Sequence, residues 1–134
     1  MIVNDRIDIA VAAGAGGGHL RGDSAAAPRI RAMAPDRFLI GRSVHTPAEV
    51  DAATTAGGCD YLLFGTVFPS DGKPEGHPVA GLDALRQACA RTPLPVIAIG
   101  GIDAARADEI VAAGAAGFAA VGYFMCLTPL PQVV

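Results

Sequence analysis

Two carboxylates near the front of the chain, Asp5 and Asp23, each stand just past a short apolar run, and together they could share a divalent cation. Mg²⁺ is typically held by one or two carboxylates plus substrate phosphates. Asp5 could equally cap the helix that follows it. Further along, Gly100-Gly101 ahead of Asp103, together with Gly122, offers backbone N–H groups that an anion can approach without meeting a Cβ. The same glycines also suit plain tight turns. Lys73 is a compact positive charge that could meet a phosphate or diphosphate, or simply a solvated surface lysine. His45 is either an acid/base group poised near neutral pH or a structural residue bonded to backbone. His19, inside "GGHL", reads as structural, and His77 carries no assigned role.

These residues have a common position if the chain alternates strands and helices. The apolar runs Ile2 to Val3, Gly18 to Leu20, Phe38 to Gly41, Asp60 to Phe64, Val96 to Ile99 and Phe118 to Val121 are short and non-alternating, as strands buried on both faces are. "VAAGA" occurs at Val11 to Ala15 and again at Val111 to Ala115, with a looser echo in "ATTAGGCD" at Ala53 to Asp60. Each copy ends an Ala-rich helical stretch on a glycine suited to the left-handed position past a helix. Thr46-Pro47-Ala48-Glu49 combines a Thr cap, Pro at the first helical position and Glu three residues after the cap, and Asp103 is placed to cap a helix over 104–113.

Alternating strands and helices imply parallel strands joined by right-handed crossovers, hence the α/β class. A doubly wound sheet is disfavoured, because "GAGGGH" at Gly14 to His19 precedes a strand instead of opening a helix after one. A (β/α)8 barrel matches the spacing of about 20 residues between units and the polar residues after nearly every strand, where such folds gather their chemistry. The longest connection, Gly65 to Ala80, contains three prolines and is expected to act as a lid or clamp.

Composition narrows the class further. The chain has 134 residues, 51% of them hydrophobic, and a net charge of −3. Basic residues are not clustered or interleaved with aromatics, so no nucleic-acid partner is expected. No uninterrupted apolar run approaches the ~18 residues of a membrane span, and the first residues do not form a basic region followed by an apolar core, so a cytoplasmic protein without a membrane partner is expected. Cys59, Cys89 and Cys126 fit neither a disulfide framework nor a zinc site, and are expected to be small buried hydrophobes.

The segments "VNDRIDIAVAAGA", "HLRGDS", "IGRSVHTPAEV", "DYLLFGTVFPSDGK" and "PVIAIGGI", in this order and spacing, resemble the thiamine phosphate synthase and thiazole tautomerase (TenI-like) superfamily from residue 1 to about Met125. The resemblance implies a partial TIM (β/α)8 barrel of about six βα units, with residues 126–134 an irregular tail. It matches the first strand here to the family's third, leaving the first two strand-helix units and the last helix without a counterpart. Whole barrels need about 200 residues or more.

The synthase joins hydroxymethylpyrimidine diphosphate to thiazole phosphate, with loss of diphosphate and with Mg²⁺. By resemblance, Asn4 would contact the pyrimidine diphosphate, Asp5 would bind Mg²⁺, and Ser43 and Lys73 would hold the pyrimidine and the diphosphate. Ser70, Asp71 and Gly72 would line the thiazole phosphate site, and Gly101, Val121 and Gly122 would contact that phosphate. The chain departs from the synthase pattern in three places. Ser24 stands where the second Mg²⁺ aspartate falls, with Asp23 one position early; Ser70-Asp71-Gly72-Lys73 replaces Thr-x-Thr-Lys; and Gly122 replaces a serine.

Three functions are therefore expected in competition. The first is a thiamine phosphate synthase, a transferase. The second is a thiazole tautomerase that aromatises a thiazole phosphate carboxylate through a histidine at the position of His45. The third is an inactive fragment that binds phosphate and associates with other copies through exposed sheet edges.

Overall fold

The structure, a computed structural model, describes residues 1–70, 74 and 76–126. Strand and helix alternate throughout: β1 (Ile2–Asn4), α1 (Ile7–Ala12), β2 (Gly17–Leu20), α2 (Ala27–Met33), β3 (Leu39–Val44), α3 (Pro47–Ala56), β4 (Tyr61–Gly65), α4 (Gly81–Ala90), β5 (Val96–Ile99), a 3₁₀ turn (Ala104–Arg106) leading into α5 (Ala107–Ala112), β6 (Gly117–Ala119) and α6 (Val121–Cys126). All six strands are parallel and lie in chain order. The chain therefore forms six consecutive units of a partial (β/α)8 barrel, as the alternation predicts.

The helix ends follow from local chemistry. Gly14 and Gly114 take positive φ, at 62° and 93°. Around each, the N–H of the glycine bonds to a valine carbonyl three residues back, and the next N–H reaches five residues back, from Ala15 to Ala10 and from Ala115 to Ile110. This is the Schellman pattern, so the repeated "VAAGA" is a repeated stop signal. At the start of α3 the Thr46 hydroxyl accepts from the Glu49 N–H at 3.2 Å. Glu49 reaches back not to the cap but one residue further, accepting from His45 N–H at 2.8 Å. Asp103 accepts from Arg106 N–H at 3.1 Å, and that first turn is 3₁₀ before α5 begins.

Leu62 and Phe64 are fully buried among Val50, Leu85 and Ile110, so this side of β4 faces the helices. Side chains alternate along a strand, which puts Tyr61, Leu63 and Gly65 on the opposite, concave side. A second apolar cluster of Ala10, Leu20, Ala27, Ile30, Phe38 and Ile40 seats α1 and α2 on the first strands. Arg31 ties these layers together. It donates to the Phe38 carbonyl at 2.7 Å and pairs with Asp60, which also accepts from Ile40 N–H at 2.6 Å.

Several boundaries differ from the sequence reading. Asn4 ends β1 instead of following it, and β3 runs on through Ser43 to Val44, because both segments keep pairing with their neighbours. Val121, read as the end of the last strand, opens α6. Cys59 and Cys89 are free thiols packed partly against the core, and burial pushes both up in pKa. The segment expected as a tail lies, after Cys126, outside the described residues.

Candidate active site

Parallel register brings Asn4, His19, Gly41 and Tyr61 into one row across β1 to β4. Residues paired in this way share a face of the sheet. The row lies on the concave side with Tyr61, and Ser43, two residues beyond Gly41 on β3, projects to the same side. His19 is buried in this row, 7% exposed, with Nε2 2.8 Å from Ser43 Oγ and Nδ1 3.1 Å from Tyr61 Oη. Burial lowers its pKa, an effect Asp5 partly opposes, so the neutral imidazole is favoured. The Tyr61 phenol is pushed up by burial and by Asp60, and stays protonated.

Asp5 directly follows Asn4 and sits at positive φ, 57°, at the top of β1, with its backbone N–H donating to the His19 carbonyl at 2.9 Å. Its carboxylate accepts from the Ser24 hydroxyl and from Arg21 N–H at 3.3 Å, and pairs with the Arg21 guanidinium at 2.5 Å. The Ser24 hydroxyl, more than any other group, holds the Asp5 carboxyl below the ordinary carboxylate range, and the Arg21 contacts add to it against the opposing effect of burial. Asp23 approaches the same guanidinium, 3.5 Å from its Nε, and is largely exposed. A cavity of about 290 Å³ lies here, lined by Asp5, Asp8, Arg21, Asp23 and Ser24 among others.

The donor set can be tested against Mg²⁺ on these contacts. The Ser24 hydroxyl lies against the Asp5 carboxylate, so two oxygens of the kind a hard cation takes are adjacent. Arg21, an exposed side chain, pairs with both Asp5 and Asp23 and so offsets one of their two negative charges. Among the described residues no three His, Cys, Asp or Glu side chains form a metal cluster. The arrangement thus fits a site with one carboxylate, the remaining ligands coming from substrate oxygens and water.

His45 follows β3 and donates from Nδ1 to the Gly65 carbonyl at 2.5 Å. In the neutral ring this bond leaves Nε2 as the acceptor, the form that can take up a proton. His45 lines a cavity of about 530 Å³ together with Gly65, Thr66 and His77. His77 Nε2 lies 3.3 Å from Thr66 Oγ1, a contact the sequence reading had not assigned.

The loops after β4 and β5 are joined by backbone bonds, Val67 N–H to Ile99 and Phe68 N–H to Gly100. Gly101 has φ 61°, and a Cβ there would run into the carbonyls of Pro69 and Phe68. Its carbonyl accepts from Arg106, whose guanidinium also lies 4.6 Å over the Phe68 ring. Val121 and Gly122 form the exposed first turn of α6 after β6. The first N–H groups of a helix lack partners within it. Ser70 lies at the end of the described part of the β4–α4 loop. Asp71, Gly72 and Lys73, expected at the substrate, fall outside the described residues.

Sequence reasoning read His19 as structural without finding its partners, and gave Tyr61 and Arg106 no role. A polar residue in the middle of an otherwise apolar strand is the one signal that marks His19 for closer attention.

Residues 1–124 match the family profile described as thiamine monophosphate synthase (TMP-TENI). The chain is 45% identical over 120 residues to a thiamine-phosphate synthase of Methanocella arvoryzae, covering 90% of this chain and 56% of that protein. It is 42% identical over 125 residues to the thiamine-phosphate synthase of Methanospirillum hungatei, covering 93% and 60%. Among solved structures, a thiamine phosphate pyrophosphorylase from Pyrococcus furiosus superposes with a TM-score of 0.75 at 37% identity, covering 90% of this chain and 55% of that one. The chain spans somewhat more than half the length of these relatives. With the profile running through all six strand-helix units, the chain belongs to the thiamine monophosphate synthase family.

Proposed function

We propose that the chain carries part of a thiamine phosphate synthase site, joining hydroxymethylpyrimidine diphosphate to thiazole phosphate with release of diphosphate. The carrying observation is the row Asn4–His19–Gly41–Tyr61, which sets Asn4 and Ser43 on one concave face with Asp5 and Ser24 at its rim. In this reading Asn4 and Ser43 bind the pyrimidine diphosphate, with Lys73 at its diphosphate. Ser70, Asp71 and Gly72, and across the rim Gly101, Val121 and Gly122, receive the thiazole phosphate. Asp5, with Asp23 in reserve, would hold Mg²⁺, which neutralises charge on the departing diphosphate when bound. Donors aimed at those oxygens act more strongly in the transition state than in the ground state. A cytoplasmic location goes with this reading, and among the described residues no helix is long and apolar enough to cross a membrane.

One observation favours a second reading, the thiazole tautomerase. His45 has Nδ1 fixed on Gly65, which leaves Nε2 as a ready proton acceptor.

The test is turnover and binding on the whole chain. Mg²⁺-dependent diphosphate release from the two substrates is expected, with Lys73→Ala reducing it ~10² to 10³-fold. Metal-independent isomerisation that disappears in His45→Ala would establish the tautomerase instead. Binding of thiazole phosphate with no turnover of either kind would leave the phosphate-binding fragment.

A further inference from the structure

We propose that His19 is a positioning residue that receives the Tyr61 hydroxyl at Nδ1 and donates from Nε2 to Ser43, so that Ser43 turns its own O–H toward the substrate. The proposal rests on the synthase reading for the identity of that substrate, and on the geometry alone for the direction of the hydrogen bonds.

Three strands hold the three residues: His19 on β2, Ser43 on β3 and Tyr61 on β4. Their ring and hydroxyl atoms lie at 2.8 and 3.1 Å, and the His19 and Tyr61 rings stack with centroids 5.6 Å apart and planes 28° apart. A neutral imidazole has one donor and one acceptor nitrogen, so the chain of bonds runs in one of two directions. Gly41 decides between them. The Tyr61 phenol end lies against Gly41, in the space a Cβ would take. On that side stands a residue with no side chain, which offers the hydroxyl no side-chain acceptor. Among the described residues the hydrogen-bond partner of Tyr61 Oη is His19. If Nδ1–H donated to Tyr61, the phenol proton would be left against this wall. If the phenol donates to Nδ1, the proton left over is that of Ser43, on the open side of the row.

Ser43 then addresses an acceptor, such as a ring nitrogen of a heteroaromatic or a phosphoryl oxygen, and disfavours a substrate that presents a donor there. A mismatch would leave two donors facing each other, which is how a buried hydroxyl gains selectivity.

Long-range ¹H–¹⁵N correlation on the folded chain at neutral pH reads the tautomer. A protonated Nε2 and bare Nδ1 are expected, with Tyr61→Phe mixing the two forms; a protonated Nδ1 in the unaltered chain overturns the proposal. Calorimetry reads the consequence. His19→Leu is expected to weaken hydroxymethylpyrimidine diphosphate about tenfold, the worth of one such hydrogen bond, while inorganic diphosphate binds as before. His19→Gln, whose amide can donate from near the Nε2 position, restores most of the affinity and covers the case in which the leucine variant does not fold. Ser43→Ala on top of His19→Leu adds little. Additive losses, or no loss in His19→Leu, overturn the proposal. If the unaltered chain binds neither ligand, the synthase reading fails, and the tautomer measurement still decides the direction of the bonds.

Discussion

At the scale of single residues, charge compensation at Asp5 is the feature with the most consequence. Its carboxylate already has a cation, Arg21, and a hydroxyl donor, Ser24, so a divalent ion has to displace the guanidinium before it can bind. Arg21→Gln is therefore expected to tighten Mn²⁺ binding, read by electron paramagnetic resonance, and Asp5→Asn to abolish it. Unchanged Mn²⁺ affinity in Arg21→Gln would mean that the guanidinium is not in the ion's place. The sign of the pH dependence follows from the lowered Asp5 pKa. Its interactions contribute fully above the ordinary carboxylate pKa and are lost as pH falls through its folded value. Ser24→Ala removes the largest cause, so the Asp5 carboxyl resonance should titrate at higher pH in that variant. None of this pairing can be read from the sequence. Asp5, Arg21 and Asp23 meet because Asp5 adopts a positive φ at the end of β1 and the loop after β2 folds back beside it.

At the scale of elements, the two "VAAGA" segments provide an internal control. Both end helices through the same pair of hydrogen bonds, but space differs around their glycines. A Cβ on Gly14 meets nothing within 4 Å, whereas one on Gly114 comes within 3.3 Å of Cys89 Cβ. Gly14→Ala should cost about 1 kcal/mol, the left-handed backbone penalty alone, and Gly114→Ala should cost more because α4 must yield as well. Urea unfolding of both variants checks the order, and equal losses would contradict it. Such caps were legible in the sequence because they are local: Thr46 and Glu49, Asp103, and the glycines act within one turn of themselves. The row Asn4–His19–Gly41–Tyr61 was not legible, because His19 meets partners 24 and 42 residues away, and only the strand register brings them together. Strand ends were misread for a related reason. Ser43 and Asn4 look like loop residues, yet the neighbouring strands supply backbone partners that keep them in the sheet.

At the scale of the whole molecule, the parallel α/β class and the barrel direction followed from the alternation of elements, while the state of the sheet edges depends on what lies beside them. Among the described residues β1 pairs with β2 alone, and β6 with β5 alone. Ile2 and Leu39, in register through Gly17, form an apolar row on the concave side and are 40% and 47% exposed, although Ile40 behind them is fully buried. Phe124 and Met125 on α6, beyond the opposite edge, are also exposed. An open parallel edge beside an apolar row is a template for pairing with another chain, since its N–H and C=O groups and its apolar surface are unsatisfied together. For the 134-residue chain on its own, self-association through the β1 edge is the expected outcome. Sedimentation velocity over a range of concentrations should show self-association, and Ile2→Lys with Leu39→Lys should shift the chain toward monomer, because charges pointing into the concave face oppose edge pairing. Both positions are exposed in the single chain, so the substitutions should leave its thermal unfolding nearly unchanged. Association that persists in the double variant would place the contact elsewhere, with the α6 face the next surface to alter.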